Sequence, residues 1–428
     1  MKVALYTLGC KVNQYETQAL EQLFAARGHT LVPFDGPADA YIVNTCSVTA
    51  VSDKKSRQVI RRARKERPDA VVAVCGCYSQ THPDDMDALG VDLVSGTGDR
   101  TGFVSLVEQA VAERQPITAL DDAFRRTHFE VLPAGGLEGR TRAMLKVEDG
   151  CVNFCSYCII PYARGRIRSL PPEQAVEQTR DLVHQGYREI VLTGIEISSW
   201  GHDLPGQPPL IELVEAVCAA APGCRIRLGS LEPRTITEEF CLRAKLLPNL
   251  CPHFHLSMQS GCDSVLERMN RKYDTARYLQ SVQLLRAHFD RPAVTTDLIV
   301  GFPGETEEEF AQTLDFIRTC SFAAMHVFPY SRRPGTPASK MPGQLPNAVK
   351  EARAHAAAQV AARMEQDYIA LFLDSPVEVL FEEERDGLWF GHTPNYLPVA
   401  VSGSDLHNQL RTVLPRRWEK GILYADLM

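Results

Sequence analysis

The sequence predicts an α/β protein of several domains, and three patterns lead to that prediction. Between residues 143 and 328, six short apolar segments rich in β-branched residues alternate with amphipathic stretches. Three further segments of this kind lie in the first 80 residues, and each is followed by a cysteine. After residue 377, short alternating runs with turn residues between them replace the helical periodicity. A chain of 428 residues is too long for one hydrophobic core, so we expect two to four domains.

The composition is that of a soluble globular protein. Hydrophobic residues make up 44% and charged residues 23% of the chain, and no apolar run approaches the ~18 residues of a membrane span. The apolar run at residues 3–8, before Gly9 and Cys10, is too short for a signal peptide, so we expect a cytoplasmic protein with no membrane contact. The net charge of −7 does not by itself suggest nucleic-acid binding.

Residues 1–120 are predicted to form a Rossmann-like domain. Residues 3–8, 41–44 and 70–74 have the pattern of buried strands, and residues 16–27 and 52–67 have helical periodicity. Each strand is followed by cysteine: Cys10, Cys46, and the pair Cys75 and Cys77. Ligands bind at this edge of open α/β sheets. From the residues alone, these thiols either pack as small hydrophobes or converge on a metal centre.

A second cysteine group, Cys151, Cys155 and Cys158, is the densest in the chain. Its C-x3-C-x2-C spacing puts three thiols on one loop, whereas a tetrahedral zinc site would normally show a fourth ligand nearby. Three thiolates without a fourth suit a 4Fe–4S cluster with one iron open to a substrate or cofactor. The total of thirteen cysteines is odd, and cytosolic thiols stay reduced, so we do not expect a disulfide framework.

Residues 140–345, after a linker at residues 121–139, are predicted to form a partial barrel of six βα units. We expect strands at residues 143–147, 189–193, 225–229, 254–258, 295–300 and 323–328, and helices at residues 172–185, 210–221, 235–246, 275–287 and 305–319. The carboxyl ends of the strands form the active face of such a barrel, and glycines there let the backbone approach a ligand. The candidate ligand-binding residues at this face are Thr193, Gly194, Glu196, Ser230, Glu232, Gln259, Ser260, Gly301 and Gly304.

Residues 346–376 are predicted to form a linking helix, and residues 377–428 a small β-barrel. Tyr396 in this barrel is either a core residue or a contact for RNA. The predicted helix at residues 52–67 carries eight cations against Asp53 and Glu66. Its charged side is either a solvated face or a surface that binds phosphates. The candidate phosphate contacts are Lys54, Lys55, Arg57, Arg61 and Arg62.

Both cysteine groups resemble motifs of the radical S-adenosylmethionine methylthiotransferases. Residues 146–165, Lys-Val-Glu-Asp-Gly-Cys-Val-Asn-Phe-Cys-Ser-Tyr-Cys-Ile-Ile-Pro-Tyr-Ala-Arg-Gly, look like this family's loop for the cluster that binds S-adenosylmethionine. Residues 8–16, 43–49 and 75–80 look like its three other cysteine motifs, in which the last ligand maps to Cys77 and not to Cys75. The resemblance implies a radical S-adenosylmethionine barrel and two 4Fe–4S clusters, on Cys10, Cys46 and Cys77 and on Cys151, Cys155 and Cys158. It also implies that Tyr157 packs beside the adenine of S-adenosylmethionine.

The residues after Cys10, Lys-Val-Asn-Gln-Tyr, are similar to the branch of the family that acts on N6-threonylcarbamoyladenosine in tRNA. The isopentenyladenosine branch typically has Gln-Met-Asn there, and the ribosomal-protein branch Pro-Lys-Asn. Residues 391–401 resemble the TRAM module, an RNA-binding barrel. The resemblance therefore implies methylthiolation at C2 of this nucleoside at position 37 of the anticodon loop.

In that reaction S-adenosylmethionine is both radical source and methyl donor, and an external electron donor and a sulfur source are needed. We expect a monomer with a tRNA substrate. The alternatives are methylthiolation of isopentenyladenosine in tRNA or of an aspartate in a ribosomal protein, and a non-catalytic protein that binds metal or RNA.

Overall fold

In the computed structural model, which describes residues 1–136 and 139–428, the chain forms two α/β units, a long helix and a β-barrel. Residues 137 and 138, at the end of the predicted linker, lie outside the described residues. The predicted α/β class with a separate carboxyl-terminal barrel is confirmed. Within the described residues, the structure contains no helix long and apolar enough to cross a membrane.

The amino-terminal unit is a parallel six-stranded sheet with helices on both faces. In chain order it contains β1 (Lys2–Thr7), α1 (Lys11–Ala26), β2 (Thr30–Leu31), β3 (Ala40–Thr45), α2 (Ala50–Glu66), β4 (Val71–Gly76), α3 (Cys77–Thr81), α4 (Asp85–Ala88), β5 (Leu93–Ser95), α5 (Arg100–Glu113) and β6 (Ile117–Ala119). The strand order is β2-β1-β3-β4-β5-β6. Apolar residues of α1 and α5 cover one face, and those of α2, α3 and α4 cover the other.

Two features of this unit differ from the sequence prediction. The sheet has three strands more than predicted, because β2, β5 and β6 are only two or three residues long and show no alternation. Helix α1 begins at Lys11 rather than at residue 16, with Cys10 as its extended N-cap residue. The motif after Cys10 therefore lies in the first turns of a helix.

The central unit is a partial barrel. In chain order it contains β7 (Arg142–Lys146), β8 (Glu148–Asp149), α6 (Ile160–Arg164), β9 (Arg168–Ser169), α7 (Pro172–His184), β10 (Glu189–Thr193), α8 (Leu210–Ala220), β11 (Arg225–Leu228), β12 (Ser230–Leu231), α9 (Glu238–Ala244), β13 (His253–Leu256), α10 (Asp263–Arg268), α11 (Thr275–His288), β14 (Ala293–Val300), α12 (Glu307–Cys320) and β15 (Ala324–Pro329). Parallel pairing runs from β7 through β10 to β11, and from β12 through β13 and β14 to β15. Because β11 and β12 are one strand interrupted at Gly229, the predicted succession of six strands is present.

Helix α13 (Asn347–Ala370) leads from the barrel to the carboxyl-terminal strands, which are β16 (Val377–Arg385), β17 (Leu388–His392), β18 (Pro398–Val401), β19 (Leu410–Glu419) and β20 (Ile422–Leu427). These five strands close into a barrel in the order β16-β17-β18-β20-β19. Its core includes Tyr368, Ile369 and Phe372 at the end of α13, so helix and barrel share one hydrophobic cluster.

Candidate metal centre and cofactor site

Cys10, Cys46 and Cys77 follow three neighbouring strands, β1, β3 and β4, at the carboxyl edge of the sheet. Two glycines with positive φ allow the loops to meet there. A Cβ on Gly9 would lie 2.7 Å from Cys46 Sγ, and a Cβ on Gly76 would lie 2.4 Å from the carbonyl oxygen of Thr45. The sheet topology therefore brings together the three predicted thiols of the first group.

Asn13 ties the loops of this first group to one another. Its Nδ2 donates to the carbonyl oxygens of Leu8 (2.8 Å) and Thr45 (2.9 Å), and its Oδ1 accepts from Arg164 Nη2 (2.9 Å). Cys75 lies elsewhere, in the hydrophobic core between the sheet and helices α1 and α5. The structure thus separates Cys75 from the three thiols at the edge.

Burial favours the protonated form of two thiols of the first group, Cys46 and Cys77. It raises the pKa of Cys46, and it raises the pKa of Cys77 to about 12. The guanidinium of Arg164 lies beside Cys77 and acts in the opposite direction, lowering the pKa of that thiol. The neighbouring thiols contribute to both shifts. Since metals bind the thiolate, loading of this site must release protons.

The second group lies on the loop between β8 and α6. Arg271 Nη1 donates to Cys155 Sγ at 3.1 Å, and the backbone N–H of Ile160 donates to Cys158 Sγ at 3.4 Å. Burial raises the pKa of Cys151, and burial with the thiol of Cys155 raises the pKa of Cys158 to about 12. Cys77 also raises the pKa of Cys158, so these two thiols of different groups are near enough to interact.

The described residues offer no site for a single metal ion. Within the described ranges, no three Cys, His, Asp or Glu side chains are close enough to hold one metal ion. Zinc keeps its sulfur ligands about 2.3 Å away and would need the thiols nearly in contact. In an iron–sulfur cluster each thiolate binds a different iron, so the ligands stand farther apart.

Two buried carboxyl groups border the second group of thiols. Glu148 Oε2 accepts from the backbone N–H of Glu196 at 2.7 Å, while Oε1 of each glutamate has no hydrogen-bond partner among the described residues. Burial raises the pKa of Glu148, and it raises the pKa of Glu196 to about 7. Unpaired buried oxygens beside a three-cysteine loop suit a ligand that carries an amino group, as S-adenosylmethionine does.

The other residues predicted at this face have different surroundings. Tyr157 packs on an apolar cluster with Cys262, Phe302 and Tyr330. Gly301 and Gly304 have structural roles. A Cβ on Gly301 would lie 2.3 Å from Lys350 Cγ, and the backbone N–H of Gly304 donates to the carbonyl oxygen of Gly343 at 2.9 Å. The remaining predicted residues lie in or just after the barrel strands: Thr193 and Gly194 at the end of β10, Ser230 and Glu232 at β12, and Gln259 and Ser260 after β13.

Comparison with known proteins decides the family. The Radical SAM superfamily model matches residues 145–317, and the model described as Uncharacterized protein family UPF0004 matches residues 2–96. The threonylcarbamoyladenosine tRNA methylthiotransferase MtaB of Bacillus subtilis (strain 168) is 42% identical over 410 residues, which cover 94% of this chain and 91% of that protein. The chain belongs to the radical S-adenosylmethionine methylthiotransferase family.

Two further comparisons bear on the branch and the fold. The tRNA-2-methylthio-N(6)-dimethylallyladenosine synthase of Caldicellulosiruptor saccharolyticus is 33% identical over 411 residues, 94% of this chain and 87% of that protein. The radical S-adenosylmethionine methyltransferase TsrM from Kitasatospora setae shares the fold, with a TM-score of 0.56 at 16% identity over 79% of this chain and 76% of that one. The methylthiotransferase is thus an enzyme that uses an iron–sulfur cluster and S-adenosylmethionine.

Sequence reasoning missed a buried ionic network in this methylthiotransferase. Glu16 of α1 accepts from Arg100 Nη2 (2.9 Å), from Lys146 Nζ (2.9 Å) and from Arg164. Asp149, two residues before Cys151, accepts from Lys146 (2.8 Å) and Arg164 (3.4 Å) and forms an ion pair with Arg168 (3.2 Å). The sequence does place Glu16 and Arg164 within the two segments that resemble the family, residues 8–16 and 146–165, and that position is the signal for this network.

The residues predicted to contact RNA fall into two places. Lys54, Lys55, Arg61 and Arg62 are exposed on α2, whereas Arg57 donates to the hydroxyl of Tyr78 at 2.8 Å. Tyr396 is 40% exposed and stacks on His392 with ring centroids 4.7 Å apart. It borders a cavity between the barrels rather than the outer surface of α2.

Proposed function

We propose that this methylthiotransferase attaches a methylthio group to C2 of N6-threonylcarbamoyladenosine at position 37 of tRNA. The observation that carries the proposal is the presence of two three-cysteine groups in a chain 42% identical to a threonylcarbamoyladenosine tRNA methylthiotransferase. In this proposal Cys10, Cys46 and Cys77 hold one 4Fe–4S cluster, and Cys151, Cys155 and Cys158 hold the other.

The chain's own residues provide the setting for this reaction. When bound, the clusters and S-adenosylmethionine supply the radical and sulfur chemistry that breaks an aromatic C–H bond and replaces it with a methylthio group. Arg271 directs a charged hydrogen bond to Cys155, and the buried glutamates Glu148 and Glu196 leave acceptors for an amino group. Asn13 and Arg164 fix the loops of the first group, and Arg164 lies six residues after Cys158 of the second.

Dimethylallyladenosine in tRNA is the second candidate substrate, because the dimethylallyladenosine synthase is also similar over 94% of this chain. Its lower identity, 33% against 42%, favours the threonylcarbamoyl base. An aspartate of a ribosomal protein is a weaker candidate, since α2 carries an exposed cationic face that suits RNA phosphates.

Mass spectrometry of tRNA nucleosides tests the proposed function. Bacterial cells that lack this activity, given the gene for this chain, are expected to gain 2-methylthio-N6-threonylcarbamoyladenosine. A gain of 2-methylthio-dimethylallyladenosine would favour the second candidate, and no change in tRNA would contradict both.

Cysteine variants test the two assigned sites. Cys151→Ala is expected to abolish cleavage of S-adenosylmethionine, while Cys10→Ala keeps cleavage and loses methylthiolation. The reconstituted enzyme is expected to contain about eight irons, falling to about four in either variant. Cys75→Ala is the matched control, because this thiol packs in the core and the variant should keep both activities. Methylthiolated product from Cys10→Ala would refute the first site.

A further inference from the structure

A cavity of about 840 Å³ lies between the amino-terminal sheet, the lumen of the central barrel and the carboxyl-terminal barrel. Its size is within the range of about 300–1,000 Å³ typical of small-molecule sites. Thr7 and Lys11, on either side of the Cys10 loop, form one wall, and Met144 and Val191 of the lumen form another. The cavity is therefore bordered by residues on both sides of Cys10 in the chain and by residues of the barrel interior.

Most charged groups on the cavity wall are paired. Arg227 donates to both oxygens of Glu189 (2.7 and 2.9 Å), and Arg142 donates to Glu382 (2.8 Å) and to the hydroxyl of Tyr396 (3.0 Å). Lys11 differs, because its ammonium makes no hydrogen bond or ion pair with any described residue.

The surroundings of Lys11 favour an anion. Lys11 shares the cavity wall with the guanidinium groups of Arg227 and Arg142, and this grouping of positive charge attracts anions. Arg140 adds a further exposed cation to the wall. The wall also carries Glu21, an acid without an ion pair among the described residues, and burial raises the pKa of Glu21 toward the neutral form.

We propose that Lys11 binds the carboxylate of the N6-threonylcarbamoyl substituent in this cavity and thereby selects this base over one with an apolar substituent. The inference rests on the proposed function and deepens it by assigning a residue that determines specificity. Gln14, one helical turn after Lys11, and the hydroxyl of Tyr396 supply further hydrogen-bonding groups on the same wall.

The chemistry of the two candidate substituents explains the selection. The threonylcarbamoyl group carries a carboxylate and a hydroxyl, whereas a dimethylallyl group has no polar atom. An apolar substituent would bury the Lys11 ammonium without a partner, and such unpaired polar groups reject a ligand strongly. Lys11 directly follows Cys10 in the chain, so a substituent held at Lys11 is bound next to the segment that carries the first predicted ligand.

Binding of modified RNA tests this assignment without turnover. Anticodon stem–loops that differ only at N6 of nucleotide 37 would carry the threonylcarbamoyl group, its carboxyl methyl ester or the dimethylallyl group. Fluorescence anisotropy on the reconstituted enzyme is expected to show about 10- to 100-fold tighter binding of the free carboxylate than of the ester. Lys11→Gln should lose that preference and bind the ester as the wild type does, and Lys11→Arg should retain the preference.

Lys2→Gln is the matched control, since Lys2 lies at the opposite end of β1 and is exposed. Iron content is measured for every variant, so that RNA binding is compared at equal cluster loading. An undiminished preference in Lys11→Gln, no preference in the wild type, or no rescue by Lys11→Arg would overturn the assignment. Methylthiolation of the same RNA by the wild type is scored separately, so loss of the specificity residue and failure of the proposed function give different results.

Discussion

Glu196 is a carboxyl group whose surroundings bring its titration into the neutral pH range. Burial raises its pKa to about 7, Ser199 Oγ donates to it, and Glu232 adds a repulsive charge. One of its oxygens has no hydrogen-bond partner among the described residues, although it lies near Cys151. A cationic group placed there would pair with the ionised form of Glu196 only.

We therefore predict that S-adenosylmethionine binds more weakly in acid. Below the pKa Glu196 becomes protonated and neutral, so it loses its attraction for the amino group of the ligand. Affinity should fall about tenfold between about pH 8 and about pH 6. Equilibrium dialysis of the reconstituted enzyme measures this fall, and Glu196→Gln should flatten it. An equally steep pH profile in the variant would assign the titration to another group.

Helix α2 is the element on which the RNA prediction can be tested. Ile60 and Ala63 pack on the sheet, while its cationic side faces outward. Not every cation there is free, because Arg57 is held by Tyr78 and Arg64 donates to the carbonyl of Gly90 at 2.9 Å. Five cations of α2 are exposed, Lys65 and the four predicted phosphate contacts Lys54, Lys55, Arg61 and Arg62.

Replacing these four exposed cations together by glutamine should weaken tRNA binding and flatten its salt dependence. Each lost contact with a single-stranded phosphate removes about 0.7 from the slope of log affinity against log salt, so four contacts remove up to about 3. Anisotropy titrations at several salt concentrations measure the slope. The matched control replaces four exposed cations on other elements by glutamine: Arg180, Lys245, Arg318 and Arg363. Equal salt slopes in the two variants would show that the cationic face of α2 is solvated and does not contact RNA phosphates.

At the scale of the whole molecule, the network of Glu16 and Asp149 joins the amino-terminal sheet to the central barrel. Two acids there face four cations, namely Arg100, Lys146, Arg164 and Arg168, all nearly inaccessible to solvent. These cations hold the pKa of Glu16 well below its usual value despite burial. The excess of positive charge lies beside the thiolates that a bound cluster would require.

Glu16→Gln should destabilise the folded enzyme by about 3–5 kcal/mol, because it leaves several buried cations without their shared partner. Denaturant unfolding of the reconstituted protein, followed by circular dichroism, measures the loss. Glu21→Gln on the same helix is the control, since Glu21 makes no ion pair among the described residues, and it should change stability by less than about 0.5 kcal/mol. Similar losses in both variants would show that α1 tolerates no change of charge.

The sequence predicts the fold well where periodicity is long. The six strands of the central barrel and the long helix α13 follow from repeated apolar patterns, whereas β2, β5 and β6 are too short to show one. The two groups of cysteines are apparent from position and motif. Glu16 and Arg164 are not, because charged residues are ordinarily exposed and their burial depends on partners more than 100 residues away. The cavity at Lys11 is likewise assembled from five separate stretches of the chain.

The contact of Arg164 with Cys77 has a consequence for the order in which the enzyme can mature. The three thiols of the first group are synthesised within the first 77 residues, but the guanidinium that lies beside Cys77 arrives 87 residues later on α6. When only the amino-terminal unit has left the ribosome, its three thiols still lack the positive charge that Arg164 provides. A cluster on Cys10, Cys46 and Cys77, as proposed, is therefore expected to assemble only after the loop of the second cysteine group and Arg164 have been synthesised.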